Sequence, residues 1–549
     1  HDPGAPQRLH YLAIEPHPPT RERLRRMQSR WPQLADQLCR AWPPLVPGYH
    51  RLLLQQGRVV LTLIVGELAA SLAQLEARID FFLLQDEQDG ARWSAPLLKR
   101  LGHLAAPEAQ LLTQGAWRLS PSALAQAGFV AEENGGPSAR FAPRWKVEAA
   151  AGQRDRRAIV IGAGLAGSAA CESLTARGWQ VTLIERHAQA AQEASGNLAG
   201  VYMPAIARDD NPTARLTRAA FLFAQQVWAR VGVFDSDRHI GKACGVLQVA
   251  RDAEQAAAFE QAARHWRYPQ DYAQWWSAQQ AGARLGMATG SGWFFPRGGW
   301  LRPGAVCEAM LQACGERLQR RFQREAIALR RVDGQWQALG ADGGVIAQAP
   351  VAILANGMQS VGFAQAASLP LQAIRGQVSH LPAALLPDLP FALCGDGYLT
   401  GAVDGKVSMG ASYDRDSDAA PRLESHIGNL DKLRQLLPEL GADIDPAALA
   451  GRVGFRCVSA DRLPLVGALP DAAALSAAGE VQLRELPRWP QLFAALAYAS
   501  RGLIWAPLAA EILACQLEGE PAPLGRDLLA LLDPARFALK ARRREKPAG

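Results

Sequence analysis

Cysteine is sparse: the 549-residue chain has eight, with no CxxC pair and no Cys/His set at metal-ligand spacing. That argues against a zinc or iron–sulfur module and against a disulfide framework, leaving reduced, mostly buried thiols as expected of a cytoplasmic protein. Long apolar runs are missing too. The most apolar segment, Leu492 to Leu517, is broken by Arg501, Pro507 and Glu511, so no membrane span and no membrane partner are expected. No secretory leader, internal repeat or low-complexity tract is read ahead of a short basic tail. The charge surplus is small, net +7 with 20% charged residues, and spread along the chain it does not name a polyanionic partner. It does concentrate locally, in RDRR (Arg154 to Arg157), RLQRRFQR (Arg317 to Arg324) and LKARRREK (Leu539 to Lys546).

What is present is organised in two parts. LHYLAIE (Leu9 to Glu15), RVVLTLIVG (Arg58 to Gly66), IDFFLL (Ile79 to Leu84) and AQLLT (Ala109 to Thr113) read as strands of one α/β unit within residues 1–145. The polar stretch over 146–157 reads as a linker, residues 158–540 as a second domain and 541–549 as a basic tail. The second domain opens on AIVIGAGLAG, an apolar strand, a glycine turn and a helix, followed by a second strand ending at Glu185. Gly162 and Ala163 form the tight turn, Gly164 lets backbone approach a pyrophosphate, and Gly167 lets the helix pack against the strand. Helix amides then face the phosphates. Glu185, eighteen residues after Gly167 and followed by Arg186, is placed to accept from a ribose hydroxyl.

This fingerprint alone suits FAD or NAD, and later segments favour FAD. Ser195, Gly196 and Asn197 in EASGNLAG are small enough to bring backbone to a flavin; VAILANG ends a strand at Ala355 and Gly357; SRGLIWAP offers amides at Gly502 and Leu503. GYLTGAVDGKVSMGASY (Gly397 to Tyr413) reads as a hairpin turning at Asp404 and Gly405.

On these residues, together with CGVLQ (Cys244 to Gln248), GGWLRPG (Gly298 to Gly304), RGQVSHLP (Arg375 to Pro382), CGDGYLTGA (Cys394 to Ala402), MGASYDRD (Met409 to Asp416), GRVGFRCVSADRLPLVG (Gly451 to Gly467) and LLDPARF (Leu531 to Phe537), the chain resembles the bifunctional tRNA 5-methylaminomethyl-2-thiouridine biosynthesis proteins. The C-terminal half of that family is related to D-amino acid and glycine oxidases. The resemblance implies an FAD-binding α/β domain of the glutathione reductase/D-amino acid oxidase type, with an inserted mixed-sheet substrate domain. It implies oxidative removal of the carboxymethyl group from carboxymethylaminomethyl-uridine at the tRNA wobble position. By the same resemblance Arg456 matches the carboxylate-binding arginine, Arg501 a second arginine near flavin and substrate, and Tyr398 a pocket wall. A monomer is expected. Two other readings stay open on the residues alone: a glycine- or sarcosine-type oxidase of a free small molecule, and a non-catalytic flavin-bearing tRNA scaffold.

The N-terminal unit resembles the same family's Rossmann-like methyltransferase half, which implies S-adenosylmethionine, with Glu15 placed for its ribose. LHYLAIEPHP (Leu9 to Pro18), HRLLLQQGRVVLTLIVGE (His50 to Glu67) and QAGF (Gln126 to Phe129) carry that likeness. Three features depart from it. Glu67 and Gln85 stand where the family carries an acidic Asp, with Asp86 or Asp89 as substitutes for the latter, and the glycine-rich loop expected ahead of the Glu15 strand would fall before His1. The expectation is therefore an incomplete, degenerate methyltransferase-type domain in which methyl transfer is doubtful.

Overall fold

The computed structural model describes residues 8–85, 93–114, 119–131, 137–147, 155–440, 443–474 and 481–545. Asp86, Asp89 and the end of the basic tail lie outside them. The N-terminal unit runs β1 (Leu9–Ile14), α1 (Arg21–Met27), α2 (Pro32–Ala41), β2 (Gly48–Leu54), β3 (Val59–Val65), α3 (Leu68–Gln74), β4 (Ile79–Gln85), α4 (Ala95–Leu104), β5 (Ala105–Gln114), α5 (Pro121–Gln126), β6 (Phe129–Ala131) and β7 (Ser138–Phe141). All four predicted strands form. β2 was not foreseen, because GYHRLLL puts His50 and Arg51 in the interior instead of alternating polar and apolar residues.

The strands make two sheets, β1-β3-β2 and β4-β5-β7-β6, with β1 parallel to β3 and β4 parallel to β5. Among the described residues β1 and β4 each keep one edge unpaired. Leu9, Tyr11, Phe81 and Leu83 on those strands are exposed.

The C-terminal unit opens with β8 (Arg157–Ile161), α6 (Leu165–Thr175) and β9 (Gln180–Ile184), the expected βαβ unit. These join strands Leu318–Arg321, Val351–Leu354 and Arg488–Leu496 in a parallel sheet, closed by the antiparallel Leu465–Pro470. Ala158 to Ile161 are all buried, as a central parallel strand covered on both faces requires.

The apolar segment Leu492 to Leu517 turns out to be the end of strand Arg488–Leu496 followed by helix Gly502–Glu518, which is apolar all round because it packs between α6 and α7 (Pro212–Arg230). No described helix is long and apolar enough to cross a membrane. An eight-stranded mixed sheet forms the inserted region, with helix Leu423–Leu436 against its hairpin Tyr398–Val403/Lys406–Gly410. Asp404 (φ 49°) and Gly405 (φ 72°) make the tight turn, both in the left-handed region such a turn needs.

A buried ion cluster joins the two units. Arg51 on β2 places Nε 2.9 Å from Glu511 Oε1, and Arg177, after α6, places Nη2 2.8 Å from Glu511 Oε1 and 2.7 Å from Glu520 Oε2. The side chains of Arg51, Arg177 and Glu511 are at most 4% exposed. Arg51 Nη1 also donates to the Pro521 carbonyl at 2.9 Å. All eight cysteines are free, and six are buried.

Candidate active site

One cleft of about 780 Å³ runs from the glycine turn of the C-terminal unit to the hairpin Tyr398–Gly410, near the upper end of the usual range for ligand sites. The glycines at its first end are required by contact. A β-carbon on Gly167 would stand 1.8 Å from the Gly162 carbonyl oxygen, and one on Gly162 (φ 103°) would stand 2.8 Å from the Ala355 oxygen. The strand, turn and Val351–Leu354 are thereby held at backbone distance. Ser195 Oγ accepts from the Leu165 amide at 3.1 Å, so the loop Glu193–Gly200 is tied to the first turn of α6. Glu185 accepts from the Ala163 amide (2.8 Å) and from the His187 amide (2.9 Å), one per carboxylate oxygen. A free lone pair remains on each for a ribose hydroxyl.

Of the residues singled out in the sequence, Gly162, Gly164, Glu185, Arg186, Ser195 and Asn197 line this end. Ala355, against Gly162, lines it too; Gly357, Gly502 and Leu503 also border the cleft, as do Tyr398, Arg456 and Arg501 toward the hairpin. Ala163, Gly167 and Gly196 shape the wall without lining it, and Glu15 lies in the other unit, at the end of β1, where its Oε1 accepts from the His17 amide at 3.0 Å. Tyr202 and Tyr498, which border the cleft, are buried with hydroxyls that have no hydrogen-bond partner among the described residues, and the Tyr202 ring packs against Phe221 and Trp228. Close glycine contacts and helix-start amides together fit a long dinucleotide such as FAD.

The far end is cationic. Arg456 Nη1 donates to the Ser412 carbonyl at 3.1 Å and, more weakly, to that of Arg375 at 3.4 Å; Arg501 Nη1 reaches the Met203 carbonyl at 3.4 Å. Among the described residues neither has a carboxylate within ion-pair distance. Burial lowers the pKa of both guanidiniums, although arginine remains charged. Two desolvated cations without an anion make a site that a carboxylate ligand completes. Gly376 is what admits Arg456: a β-carbon there would stand 2.1 Å from Nη1. Tyr398 is half-buried beside them, and burial raises its hydroxyl to about 12, so it stays protonated.

Two residues at or next to the cleft were not legible beforehand. Lys432, on helix Leu423–Leu436, donates to the Ala411 carbonyl and is lowered by burial and by Arg456; nothing in its helical surroundings marked it. Arg452 clamps the Glu193–Gly200 loop, donating to Asn197 Oδ1 at 3.2 Å and to the Gln192 and Glu193 carbonyls at 2.7 and 2.6 Å. Its signal was the GRVGF stretch already quoted, read only for Arg456. The three sequence clusters of basic residues are partly spent on ion pairs: Arg156 with Glu518, Arg157 with Asp155, Arg320 with Glu308 and Lys540 with Asp461. By contrast α1 and its following turn expose Arg23, Arg25, Arg26 and Arg30 beside the half-exposed Trp31, with the Arg30 Cζ 5.3 Å from the Trp31 ring centroid. Arg25 and Arg26 have only loose partners, at 3.9 and 3.7 Å.

A family model for FAD dependent oxidoreductases matches residues 157–516, and one for S-adenosyl-L-methionine-dependent methyltransferases matches residues 30–140. The tRNA 5-methylaminomethyl-2-thiouridine biosynthesis bifunctional protein MnmC of Paraburkholderia phytofirmans is 41% identical over 99% of this chain and 87% of its own length. The protein of the same name from Burkholderia thailandensis is 42% identical over 100% and 88%. Among solved structures, glycine oxidase from Geobacillus kaustophilus aligns with a TM-score of 0.57 at 18% identity, over 69% of this chain and 99% of its own. Iminodiacetate oxidase from Chelativorans sp. BNC1 aligns at 0.54 and 22%, over 67% and 96%. At such identities these two show the shared fold.

Proposed function

The chain belongs to the family of bifunctional tRNA 5-methylaminomethyl-2-thiouridine biosynthesis proteins, and from that premise we propose how its cleft works on a tRNA wobble uridine. It is an enzyme of tRNA modification with an FAD-dependent oxidase domain and an S-adenosylmethionine-dependent methyltransferase domain. The substrate side chain, uracil–CH2–NH–CH2–COO⁻, is an N-alkylated glycine. Arg456 takes the carboxylate, Arg501 and Lys432 add positive potential, and Tyr398 closes the wall. FAD, when bound along the glycine turn, supplies the acceptor for the hydride of the glycine methylene. The resulting C=N bond is split by water, leaving aminomethyl-uridine and glyoxylate.

The protein's share is to orient that methylene, exclude bulk water and keep the amine unprotonated. A cationic end disfavours a second positive charge on the substrate nitrogen. The N-terminal unit then methylates the primary amine: against the doubt raised by Glu67 and Gln85, the methyltransferase family model matches residues 30–140 and the bifunctional relatives align over 99–100% of the chain. The observation that carries the oxidase reading is the half-buried Arg456, without a carboxylate partner among the described residues, in a dinucleotide-sized cleft. A free-amine oxidase or a non-catalytic scaffold has no comparable support from the relatives. We place the work in the cytoplasm and the enzyme as a monomer.

Nucleoside mass spectrometry of hypomodified tRNA tests this. The carboxymethylaminomethyl nucleoside should disappear with or without S-adenosylmethionine, which decides only whether aminomethyl- or methylaminomethyl-uridine accumulates. A nucleoside left untouched by the flavin-loaded enzyme sinks the reading.

The exposed arginines of α1 are the surface we assign to the RNA backbone. Replacing Arg23, Arg26 and Arg30 by glutamine should weaken tRNA binding and lower the slope of log K against log salt by about two units, at roughly 0.7–0.9 per phosphate contact. An unchanged slope in a filter-binding titration places the RNA elsewhere.

A further inference from the structure

Tyr413 is an exposed aromatic at the cationic end of the cleft, 52% exposed although it lines the cavity. A large apolar ring left half in water on a mobile loop needs no explanation, but this loop is nailed down. Ser412, just before it, donates its hydroxyl to Asp414 Oδ2 at 2.6 Å and its amide to the Gln377 carbonyl at 3.0 Å. Asp414, just after it, exchanges backbone hydrogen bonds with Arg375 and accepts from Arg375 Nη1 at 3.0 Å. Arg375 is fully buried and holds the rest of the loop through the Asp418 and Ala420 carbonyls, at 2.8 and 2.7 Å. The backbone on both sides of Tyr413 is thus fixed by an interior arginine, and the ring is held at the rim.

Its distance from the carboxylate anchor is also set. The Arg456 Cζ lies 5.8 Å from the Tyr413 ring centroid. In carboxymethylaminomethyl-uridine four bonds separate uracil C5 from the carboxylate carbon, about 5 Å when extended at ~1.5 Å per bond. A base whose side chain reaches Arg456 therefore arrives beside Tyr413. Every nucleobase has a π-face, and an aromatic side chain is the usual means of holding one taken out of its stack.

We propose that Tyr413 is the stacking platform for the wobble uracil, a substrate-positioning residue that distinguishes tRNA from a free glycine derivative. The proposal rests on the wobble-uridine reading of the cleft. Its contribution is to the base, not to the reacting glycine unit, and that separation makes it testable.

Steady-state oxidation should be compared for hypomodified tRNA and for N-ethylglycine, which keeps the glycine unit and lacks the base. Tyr413→Ala should raise KM for tRNA by about 5- to 100-fold, the range of one base–aromatic stack, and leave kcat/KM for N-ethylglycine within about twofold. Tyr413→Phe and Tyr413→Trp should keep the tRNA KM near wild type, since the ring and not the hydroxyl acts. An unchanged tRNA KM in Tyr413→Ala, or an equal loss on both substrates, overturns the assignment; equal loss would mean that the ring only steadies Arg456. Should wild-type enzyme oxidise N-ethylglycine but ignore tRNA, the functional reading itself fails, and this inference with it.

Discussion

Arg456→Ala is expected to stay yellow and to lose most of its turnover. The guanidinium lies at the opposite end of the cleft from the glycine turn, so flavin retention should be unaffected. What the variant loses is a charge-assisted pair of hydrogen bonds to the substrate carboxylate, worth about 1.5–3 kcal/mol each. Together they correspond to a fall in kcat/KM of about a hundred- to ten-thousandfold, at 1.36 kcal/mol per factor of ten. Arg456→Lys should recover only part of this, because an ammonium is a point charge where the site offers a planar fork. Rapid-mixing measurement of flavin reduction by hypomodified tRNA reads the effect directly. A variant reduced at the wild-type rate removes the carboxylate anchor from Arg456.

The second large effect concerns the junction between the units. Glu511→Gln keeps the shape of the side chain but removes the anion that Arg51 and Arg177 share. Their charges are then left short of compensation in the interior, a defect that typically costs about 3–5 kcal/mol. The denaturation midpoint should fall accordingly, and limited proteolysis should begin at the junction. An unshifted midpoint would show that water reaches the cluster.

The same cluster carries an acid dependence. Burial alone would raise the Glu511 carboxyl, but the Arg177 and Arg51 charges outweigh it and hold the group well below its ordinary value of 4.5. A depressed folded pKa contributes stability that is complete above the unfolded value and is lost as pH falls toward the folded one. Wild-type protein should therefore lose stability steeply below about pH 4.5, and Glu511→Gln should show a flatter acid limb.

Much of the oxidase half was legible because its chemistry is local. The strand, turn, helix and terminal acid from Ala158 to Glu185 each follow from residues within one βαβ unit, and the structure places them as read. Arg456 and Arg501 could be singled out only through the family resemblance; that neither meets a carboxylate among the described residues appears only once strand Ala450–Ser459 is paired with Leu371–Pro382 and Arg501 is brought to Met203. Lys432, Arg452 and Tyr413 were missed because each acts across the chain: Arg452 holds a loop some 255 residues away. In the N-terminal unit the four strands read from the sequence form, whereas β2, β6 and β7 were missed; the polar residues of β2 make sense only once Glu511 has been brought to Arg51.

The sequence by itself determined the strand–glycine turn–helix–strand unit from Ala158 to Glu185, since glycine spacing and strand periodicity act over a few residues and need no distant partner. Only the tertiary structure decided which cations lose water without finding an anion, and which arginines spend their charge at the domain junction. Burial and ion pairing are properties of segments meeting, and no local pattern encodes them.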